Sequence, residues 1–153
     1  MSNEQEDFTV TTRKIQEESE IISVINSFDR SFPRPLSSRV ENLSEYAKKL
    51  AKNAIFIVAE DNFNVIGFTA MYANDSISGQ AYLAQIAVSK EYLGQKIGNL
   101  LLSLCEKTAR ENGMKTMKLE VDKINERAIE FYKKDGFLTE SANDLSFFMV
   151  KNL

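Results

Sequence analysis

The stretch of residues 81–113 constrains the fold more than any other part of the chain. Residues 81–88 form a mostly apolar run, which predicts a strand buried on both faces. A turn containing Gly94 and Gly98 follows, and beyond it apolar residues recur at helical spacing up to Thr108. Because a buried strand that turns directly into a long amphipathic helix needs a sheet covered by helices, the sequence predicts an α/β fold.

Strands and helices are predicted on both sides of this unit from the same periodicities. The predicted strands lie at residues 8–12, 54–60, 65–73, 81–88, 117–121, 137–140 and 145–150. The predicted helices contain residues 21–28, 42–51, 97–108 and 128–134. Asn42 and Glu45 form a capping-box pattern at the start of the second helix. The order β-α-α-β-β-β-α-β-α-β-β predicts a mixed sheet with helices on its faces.

The length of 153 residues fits a single domain with its own core. We predict an acidic N-terminal tail over residues 1–7 and one domain over residues 8–153. Apolar residues make up 43% of the chain and charged residues 27%, as in an ordinary globular protein. The sequence has no run of about 18 apolar residues, so no membrane-spanning helix is expected.

The residue types that are scarce exclude several kinds of chemistry. There is no histidine, so a histidine-based triad is excluded, and with one cysteine no metal site of the usual zinc ligands is expected. Because Cys105 is the single cysteine, the chain cannot form an internal disulfide. The single cysteine and the polar, acidic N-terminus together predict a cytoplasmic protein. The net charge of −3 gives no electrostatic reason to expect a nucleic-acid partner. A general base must therefore be a carboxylate, a lysine, a tyrosine or a water bound to one of them.

The turn at residues 92–101 is a candidate anion site. A helix N-terminus presents backbone N–H groups without intrahelical partners, and the helix dipole favours a negative charge there. Gly94 and Gly98 lack side chains that would keep a phosphate away. The alternative is that both glycines only permit a tight turn. The spacing matches neither a P-loop nor the dinucleotide-binding fingerprint.

A second segment, residues 125–137, points to one protein family. Asn125 is placed to cap a short helix, and Tyr132 lies near the end of that helix, just before a Gly-Phe pair. Together with the turn around Gly98, this segment resembles the GNAT acetyltransferase family, and the resemblance covers roughly residues 8–150. It implies a GNAT-like mixed, mostly antiparallel sheet of about 6–7 strands flanked by about four helices. It also implies acetyl-CoA as the cosubstrate, with CoA as a product.

The resemblance implies how acetyl-CoA is held. The strand before the turn would pair through its backbone with the pantetheine arm, and this role falls on Ile86, Ala87 and Val88. The family's pyrophosphate loop corresponds to Leu93, Gly94, Gln95, Lys96, Ile97, Gly98 and Asn99. Asn125 would add a hydrogen bond to the cofactor arm or to the turn of its own motif. Leu93 and Lys96 depart from the family pattern, which prefers Arg or Gln at the first position and Gly at the second. Lys96 is either a phosphate contact or a solvated lysine.

Tyr132 and Glu120 are the candidate catalytic residues. With a pKa of about 10, a tyrosine can donate a proton to a departing thiolate at neutral pH. Glu120 lies on the strand face opposite Leu119 and Val121, and its spacing from Tyr132 resembles that of the base in bacterial enzymes that acetylate ribosomal-protein N-termini. It would take the amine proton through a water, with Asp122 as the weaker alternative. The alternatives that stay open are a tyrosine packed at the helix–sheet boundary and a surface glutamate.

The amine acceptor is expected on the other side of the cleft, where the family uses the region between the first two helices. The candidate substrate-binding residues are Arg34, Arg39, Tyr72, Asn74, Tyr82 and Gln85. The arginines could bind a carboxylate or a phosphate of the acceptor, or could simply be solvated. Tyr82 and Gln85 would face the cleft if the fourth strand splays away from the fifth. Cys105 lies on the apolar stripe of the long helix, so we expect it in the core rather than in an acyl-cysteine intermediate.

The sequence therefore predicts an N-acetyltransferase that moves an acetyl group to a primary amine by direct attack in a ternary complex. The acceptor would be a small amine, an amino sugar or a peptide N-terminus. No nucleic-acid or membrane partner is expected, and a homodimer is left open. Two alternatives also stay open: a non-catalytic module that binds or senses acyl-CoA, and an acyltransferase that uses a longer acyl-CoA.

Overall fold

The computed structural model describes residues 9–153, which form one sheet with helices on its faces. The predicted acidic tail, residues 1–7, and the first residue of the predicted first strand, Phe8, lie outside the described residues. None of the helices within residues 9–153 has both the length and the apolar character needed to cross a bilayer.

The described strands and helices follow the predicted order, with one addition. The strands are β1 (Val10–Ile15), β2 (Ile55–Asp61), β3 (Asn64–Tyr72), β4 (Gln80–Val88), β5 (Thr116–Asp122), β6 (Leu138–Ala142) and β7 (Ser146–Asn152). The helices are α1 (Glu18–Ser27), α2 (Leu36–Arg39), α3 (Leu43–Asn53), α4 (Ile97–Glu111) and α5 (Glu126–Lys134), with short 3₁₀ segments at Asp29–Ser31 and Lys90–Tyr92. Helix α2 was not predicted, because a single turn of helix carries too little periodicity to be detected.

The strand order in the sheet is β1-β2-β3-β4-β5-β7-β6. Neighbouring strands are antiparallel except for β4 and β5, which run parallel on either side of α4 in the chain. A parallel pair needs a crossover connection, and α4 supplies it. The mixed, mostly antiparallel sheet predicted from the sequence is therefore confirmed.

Each face of the sheet carries its own apolar cluster. On the face covered by α1 and α3, the Phe56 and Phe68 rings stack with centroids 5.1 Å apart, and Phe28 meets Phe68 edge-on at 5.3 Å. On the face covered by α4 and α5, Leu102 and Phe137 are completely buried in a cluster that includes residues of β3, β4, β5 and β7. Burying one such side chain stabilises a fold by about 1.5–3 kcal/mol. Apolar burial therefore holds both helix layers to the sheet.

Local sequence signals fix where the helices begin and end. The Asn42 side-chain oxygen accepts a hydrogen bond from the Glu45 N–H at 3.0 Å, and the Asn125 side-chain oxygen accepts one from the Ala128 N–H at 3.3 Å. Each bond satisfies one of the donors that a helix N-terminus leaves unpaired. Gly113 follows α4 with a φ of 79°, a conformation that ends helices and favours glycine. The predicted caps at Asn42 and Asn125 and the predicted stop at Gly113 are confirmed.

The pairing between β4 and β5 ends before either strand does. Within the described residues, the parallel ladder joins residues 80–83 to residues 116–119 and goes no further. A β-bulge lies at the same point, because Ala84 has no partner in β3 although the residues on both sides of it do. Bulges bend a strand and increase its twist. The C-terminal ends of β4 and β5 therefore diverge and leave a cleft between them. This splay is the condition under which Tyr82 and Gln85 were expected to face the cleft.

Candidate functional site

One backbone edge of β4 faces the cleft. Residues 86–88 pair with residues 67–69 of β3 on one side, and among the described residues they have no strand partner on the other. The Ala87 side chain is buried, whereas those of Ile86 and Val88 are half-buried. An open strand edge can take up an extended chain through N–H and C=O groups. The three residues predicted to bind the cofactor arm thus lie where an extended ligand can pair with them.

The bulge in β4 is held in place by a buried threonine. The Thr69 hydroxyl donates a hydrogen bond to the Gln85 carbonyl at 3.0 Å and lies 3.1 Å from the Cys105 sulfur. Thr69 and Cys105 are both completely buried. Burial raises the pKa of the Cys105 thiol to about 11, so the thiol stays protonated, and the residue belongs to the core as predicted. Sequence reasoning missed Thr69, whose only signal was a hydroxyl within an apolar strand.

The N-terminus of α4 has no capping side chain among the described residues. The first intrahelical bond runs from the Leu100 N–H to the Lys96 carbonyl at 3.0 Å. The N–H groups of Ile97, Gly98 and Asn99 therefore have no partner within the helix. The helix dipole adds a partial positive charge at the same point. The structure thus places three backbone donors together in the arrangement that binds anions at helix N-termini.

Two residues before α4 have a left-handed backbone conformation. Gly94 has a φ of 84° and Lys96 a φ of 64°, while Leu93 and Gln95 lie exposed beside them. A Cβ atom added at Gly94 would meet no atom within 4 Å, so backbone conformation rather than crowding favours glycine there. Lys96 occupies the position at which the family pattern has glycine. Its positive φ supplies the physical reason for that preference, because a Cβ is strained in this region.

Gly98 has a different role from Gly94. It lies in the first turn of α4, and a Cβ there would lie 3.3 Å from the Phe131 ring of α5, closer than ordinary van der Waals contact. Glycine therefore allows the start of α4 to approach α5. An open groove of about 370 Å³ lies beside this contact. It is lined by Asn99, Arg127, Glu130, Phe131, Lys134 and Asp135.

Tyr132 lies on α5 with its ring in the core. The ring centroid is 5.7 Å from that of Phe137 and 5.4 Å from that of Phe131, and the residue is only 7% exposed. Burial raises the pKa of Tyr132, so its hydroxyl is protonated at neutral pH. No residue in the described part of the chain hydrogen-bonds to this hydroxyl, and no fully enclosed side-chain oxygen there lacks a partner. The hydroxyl is therefore an uncommitted proton donor that reaches solvent-accessible space.

Glu120 and Asp122 lie on the face of the sheet that α1 and α3 cover. Tyr82 and Lys118 are partners in the parallel ladder and therefore share a face, and alternate residues of β5 follow Lys118. The Glu120 side chain is exposed. It lies close enough to Tyr82 to add to the rise in the pKa of that hydroxyl, which burial causes in the main. The candidate base therefore lies on the same face of the sheet as α1 and α3.

Three tyrosines lie close together on this face of the sheet. Tyr72 and Tyr82 are cross-strand partners on β3 and β4, and Tyr46 of α3 accepts a hydrogen bond from the Gln85 side-chain amide at 3.1 Å. Burial raises the pKa of Tyr72 to about 12 and also raises those of Tyr46 and Tyr82. All three hydroxyls are therefore protonated at neutral pH. The bulge at Ala84 turns Gln85 toward Tyr46, and sequence reasoning missed Tyr46 because its helical spacing indicated only the apolar stripe of α3.

The remaining predicted acceptor residues differ in their surroundings. The Arg34 Nε donates to the Asp122 Oδ1 at 3.0 Å, and its Nη2 donates to the same oxygen. Arg39 lies over the Phe32 ring, 5.2 Å from its centroid. Asn74 donates to the Asn53 carbonyl at the end of α3, at 3.3 Å. The structure thus brings Tyr72, Tyr82, Gln85, Arg39 and Glu120 to one side of the sheet, and it places Asn74 in a bond that ends α3.

Residues 9–153 contain no group of three or more cysteine, aspartate and glutamate side chains placed to hold a metal ion. The polar groups that the cleft does offer are a strand edge, helix N–H donors, tyrosine hydroxyls, a carboxylate and guanidinium groups. This set can bind an extended, anionic ligand and can exchange protons with it.

Comparisons with known proteins agree with this geometry. The sequence model of the Acetyltransferase (GNAT) family matches residues 21–137. A curated relative named "Probable N-acetyltransferase camello", from Xenopus tropicalis, is 28% identical over 93 residues, which is 61% of this chain and 42% of the relative. The match thus spans about two fifths of that relative's own length.

Two solved structures share the fold across almost their whole length. The PaiA N-acetyltransferase of Thermoplasma acidophilum, in complex with coenzyme A, has a TM-score of 0.77 at 23% identity and covers 95% of this chain and 99% of its own. The ribosomal-protein-S18-alanine N-acetyltransferase of Escherichia coli has a TM-score of 0.77 at 19% identity, with 94% of each chain covered. At these identities the likeness establishes the fold.

Proposed function

This chain belongs to the GNAT family of acetyltransferases, and on that basis we propose that it transfers the acetyl group of acetyl-CoA to a primary amine. The observation that carries the proposal is the open edge of β4, which leads to the uncapped N-terminus of α4. The edge suits an extended arm that contains amide groups, and the helix N-terminus suits a pyrophosphate. The PaiA structure, which has the same fold, holds coenzyme A.

In this proposal, acetyl-CoA binds mainly to the backbone. The N–H and C=O groups of residues 86–88 pair with the pantetheine arm, and the N–H groups of residues 97–99 bind the pyrophosphate. Asn125 adds a hydrogen bond from its side-chain amide, since its side-chain oxygen already caps α5. Because these backbone contacts do not depend on the side chains at positions 93 and 96, the departures from the family pattern leave the contacts unchanged.

The cleft then aligns the amine with the thioester. Holding two reactants in line is worth up to about 7–11 kcal/mol in favourable cases. The amine nitrogen attacks the carbonyl carbon, a backbone N–H near Val88 stabilises the negative oxygen, and the C–S bond breaks. The Tyr132 hydroxyl gives its proton to the sulfur, and Glu120 takes the amine proton through a water. Because a tyrosinate is a stronger base than a thiolate, this transfer is uphill on its own, so it accompanies the breaking of the C–S bond, and Tyr132 regains a proton from solvent before the next turnover.

Tyr82, Gln85 and Tyr46 form the wall that the acceptor meets in this proposal, with Arg39 and Glu120 beside them. A small amine, an amino sugar or a peptide N-terminus each fits a cleft that is open at the C-terminal ends of two strands. The cytoplasmic setting expected from the single cysteine belongs to the same proposal.

Ligand binding and thiol release test the proposed activity. We expect acetyl-CoA and CoA to raise the melting temperature of the protein, and a panel of primary amines to release free CoA thiol from acetyl-CoA. A larger shift and faster thiol release with longer acyl-CoAs would instead support the longer-chain acyltransferase. Binding without thiol release from any acyl-CoA would support a sensing module. No shift with any CoA species would contradict all three functions.

Replacing Tyr132 by phenylalanine tests the proton donor. We expect kcat to fall on the order of 100-fold with little change in acetyl-CoA affinity. Because the hydroxyl makes no hydrogen bond to the described residues, we also expect an unchanged melting temperature. This control separates a chemical role from a structural one. Unchanged turnover in Tyr132→Phe would remove the residue from the mechanism.

A further inference from the structure

We infer that the acceptor amine carries a carboxylate or a phosphate, which binds the guanidinium of Arg39 while the amine lies beside Glu120. The inference rests on the proposed function, since it concerns the second substrate of the same cleft. It is carried by the different surroundings of two arginines, Arg34 and Arg39, which lie in the same connection between α1 and α3.

Arg34 is already bound within the protein. Its Nε and Nη2 both donate to the Asp122 Oδ1, so its guanidinium ties the connection to the end of β5. Prolines at positions 33 and 35 restrict the backbone on both sides of it. The Asp122 side chain is only 9% exposed, and it would be left unpaired in a confined place if Arg34 turned to a ligand. Arg34 therefore positions the loop and is not the anion receptor.

Arg39 is held in place without a hydrogen bond. Its guanidinium carbon lies 5.2 Å from the centroid of the Phe32 ring, a cation–π contact that leaves its N–H groups uncommitted. The nearby Asp29 carboxylate accepts hydrogen bonds from the Ser37 N–H and hydroxyl, each at 2.7 Å. No carboxylate within residues 9–153 forms an ion pair with Arg39. Its fork of donors therefore remains open to a carboxylate or phosphate, the groups whose geometry it matches.

The Arg34–Asp122 bond fixes the connection that carries Arg39 at the end of β5, two residues beyond Glu120, and both Arg39 and Glu120 act on the Tyr82 hydroxyl. Burial has the largest effect on the pKa of Tyr82, and the charges add opposite effects: Glu120 raises the pKa and Arg39 lowers it. Burial also raises the pKa of Tyr46, whose hydroxyl binds Gln85, and Arg39 offsets part of that rise. The Tyr82 hydroxyl thus lies within electrostatic reach of one cation and one anion. A small zwitterionic molecule can place its amine at Glu120 and its anionic group at Arg39.

An acceptor with only positive charges is complementary to Glu120 alone. A second cation in this cleft would face Arg39, and like charges disfavour binding. The tyrosines do not neutralise Arg39, because burial raises their pKa values and keeps their hydroxyls protonated. The cleft is therefore complementary to an amine that also bears an anion.

Matched pairs of acceptors test this inference. We would compare 4-aminobutyrate with its amide, glucosamine 6-phosphate with glucosamine, and the amidated dipeptides Ala-Glu and Ala-Gln. The first and third pairs test for a carboxylate, and the second pair tests for a phosphate. In at least one pair we expect the anionic member to have a kcat/KM that is about tenfold higher or more, mainly because its KM is lower. A difference of this size corresponds to one charge-assisted hydrogen bond.

Arg39→Gln and Arg30→Gln are the matched variants. Both variants remove one positive charge that acts on Asp29, but of the two arginines only Arg39 also acts on Tyr46 and Tyr82. We expect Arg39→Gln to abolish the preference for the anionic member by raising its KM, while Arg30→Gln retains the preference. No preference in any pair, or a preference that survives Arg39→Gln, would overturn the inference.

Failure of the proposed function has a different signature. If none of the six acceptors releases thiol, the same pairs are titrated by calorimetry into the protein saturated with CoA. Tighter binding of an anionic member that is lost in Arg39→Gln would support the anion site even without catalysis. Equal or absent binding for every pair would overturn the inference, and failure of CoA itself to bind would overturn the proposed function.

Discussion

Lys96→Gly should stabilise the protein, although it removes a long side chain and inserts the residue that is usually most flexible. The reason lies in the backbone before α4, where Lys96 has a φ of 64°. An L-residue in the left-handed region is strained by about 1–2 kcal/mol because its Cβ crowds the following carbonyl. Glycine has no Cβ and adopts this conformation without strain.

The expected gain follows from two opposing terms. Relief of strain stabilises the folded state by about 1–2 kcal/mol, while the greater freedom of glycine in the unfolded chain offsets about 0.5–1 kcal/mol of it. We therefore expect Lys96→Gly to raise the free energy of unfolding by about 0.5–1 kcal/mol. Lys96→Ala retains the Cβ and the strain, so we expect it to lie within about 0.5 kcal/mol of the wild type.

Gly94→Ala provides the reciprocal control. Gly94 has a φ of 84°, and a Cβ there would meet no atom within 4 Å, so the substitution adds backbone strain and no clash. We expect the free energy of unfolding to fall by about 1 kcal/mol or somewhat more. The pair of glycine exchanges should thus change stability in opposite directions within one turn.

Urea unfolding followed by far-ultraviolet circular dichroism measures all three variants, since the sequence contains no tryptophan for fluorescence. The midpoint should shift while the slope with denaturant stays constant, which shows that stability alone has changed. The reasoning is refuted if Lys96→Gly is no more stable than Lys96→Ala, or if Gly94→Ala leaves the midpoint unchanged.

Three further outcomes are expected. Thr69→Val should lower the free energy of unfolding by about 1–3 kcal/mol, because the Gln85 carbonyl loses its hydrogen bond from the buried Thr69 hydroxyl. Thr69→Ser keeps a hydroxyl and should retain most of the stability. Equal losses of stability for the two variants in urea unfolding would contradict this reasoning. Glu120→Gln should slow acetylation mainly below the pKa of the amine, where the substrate arrives protonated, and a pH–rate profile identical to that of the wild type would exclude Glu120 as the base. Phe63→Gly should stabilise the hairpin between β2 and β3 by about 1 kcal/mol, because Asn62 and Phe63 have φ values of 49° and 68°. Asn-Gly is the preferred pair for such a turn. No gain in thermal stability over Phe63→Ala would contradict this expectation.

The parts of the fold that depend on short-range chemistry were predictable. The strands and the long helices follow from the composition and periodicity of their own residues, and several of their ends follow from residues within one turn. Asn42 and Asn125 cap α3 and α5 because a side-chain oxygen reaches an N–H three residues ahead. The position of the turn between β4 and α4 followed in the same way from a buried strand that precedes a helix.

The parts that depend on long-range packing were not predictable. Nothing within residues 81–88 indicates that Ala84 would be the extra residue in a bulge, because the bulge depends on the register with β3 and on Thr69 beneath it. Nor does the sequence pair Arg34 with Asp122, which lies 88 positions further along the chain. Nor does the sequence distinguish Arg34 from Arg39 in that connection; the bond of Arg34 to Asp122 on β5 does so.

Lys96 departs from the family pattern, which has glycine at this position, and yet adopts the left-handed φ that favours glycine. The donors of the proposed pyrophosphate site are backbone N–H groups, so the side chain at position 96 affects them only through the φ angle it tolerates. The lysine already adopts the left-handed φ, which means that the donors lie where glycine would place them. Acetyl-CoA should therefore bind Lys96→Gly and Lys96→Ala within a few-fold of the wild type if the backbone supplies the affinity. An equal loss of about tenfold in both variants would instead assign a phosphate contact to the lysine ammonium, since both remove the charge and only one removes the strain.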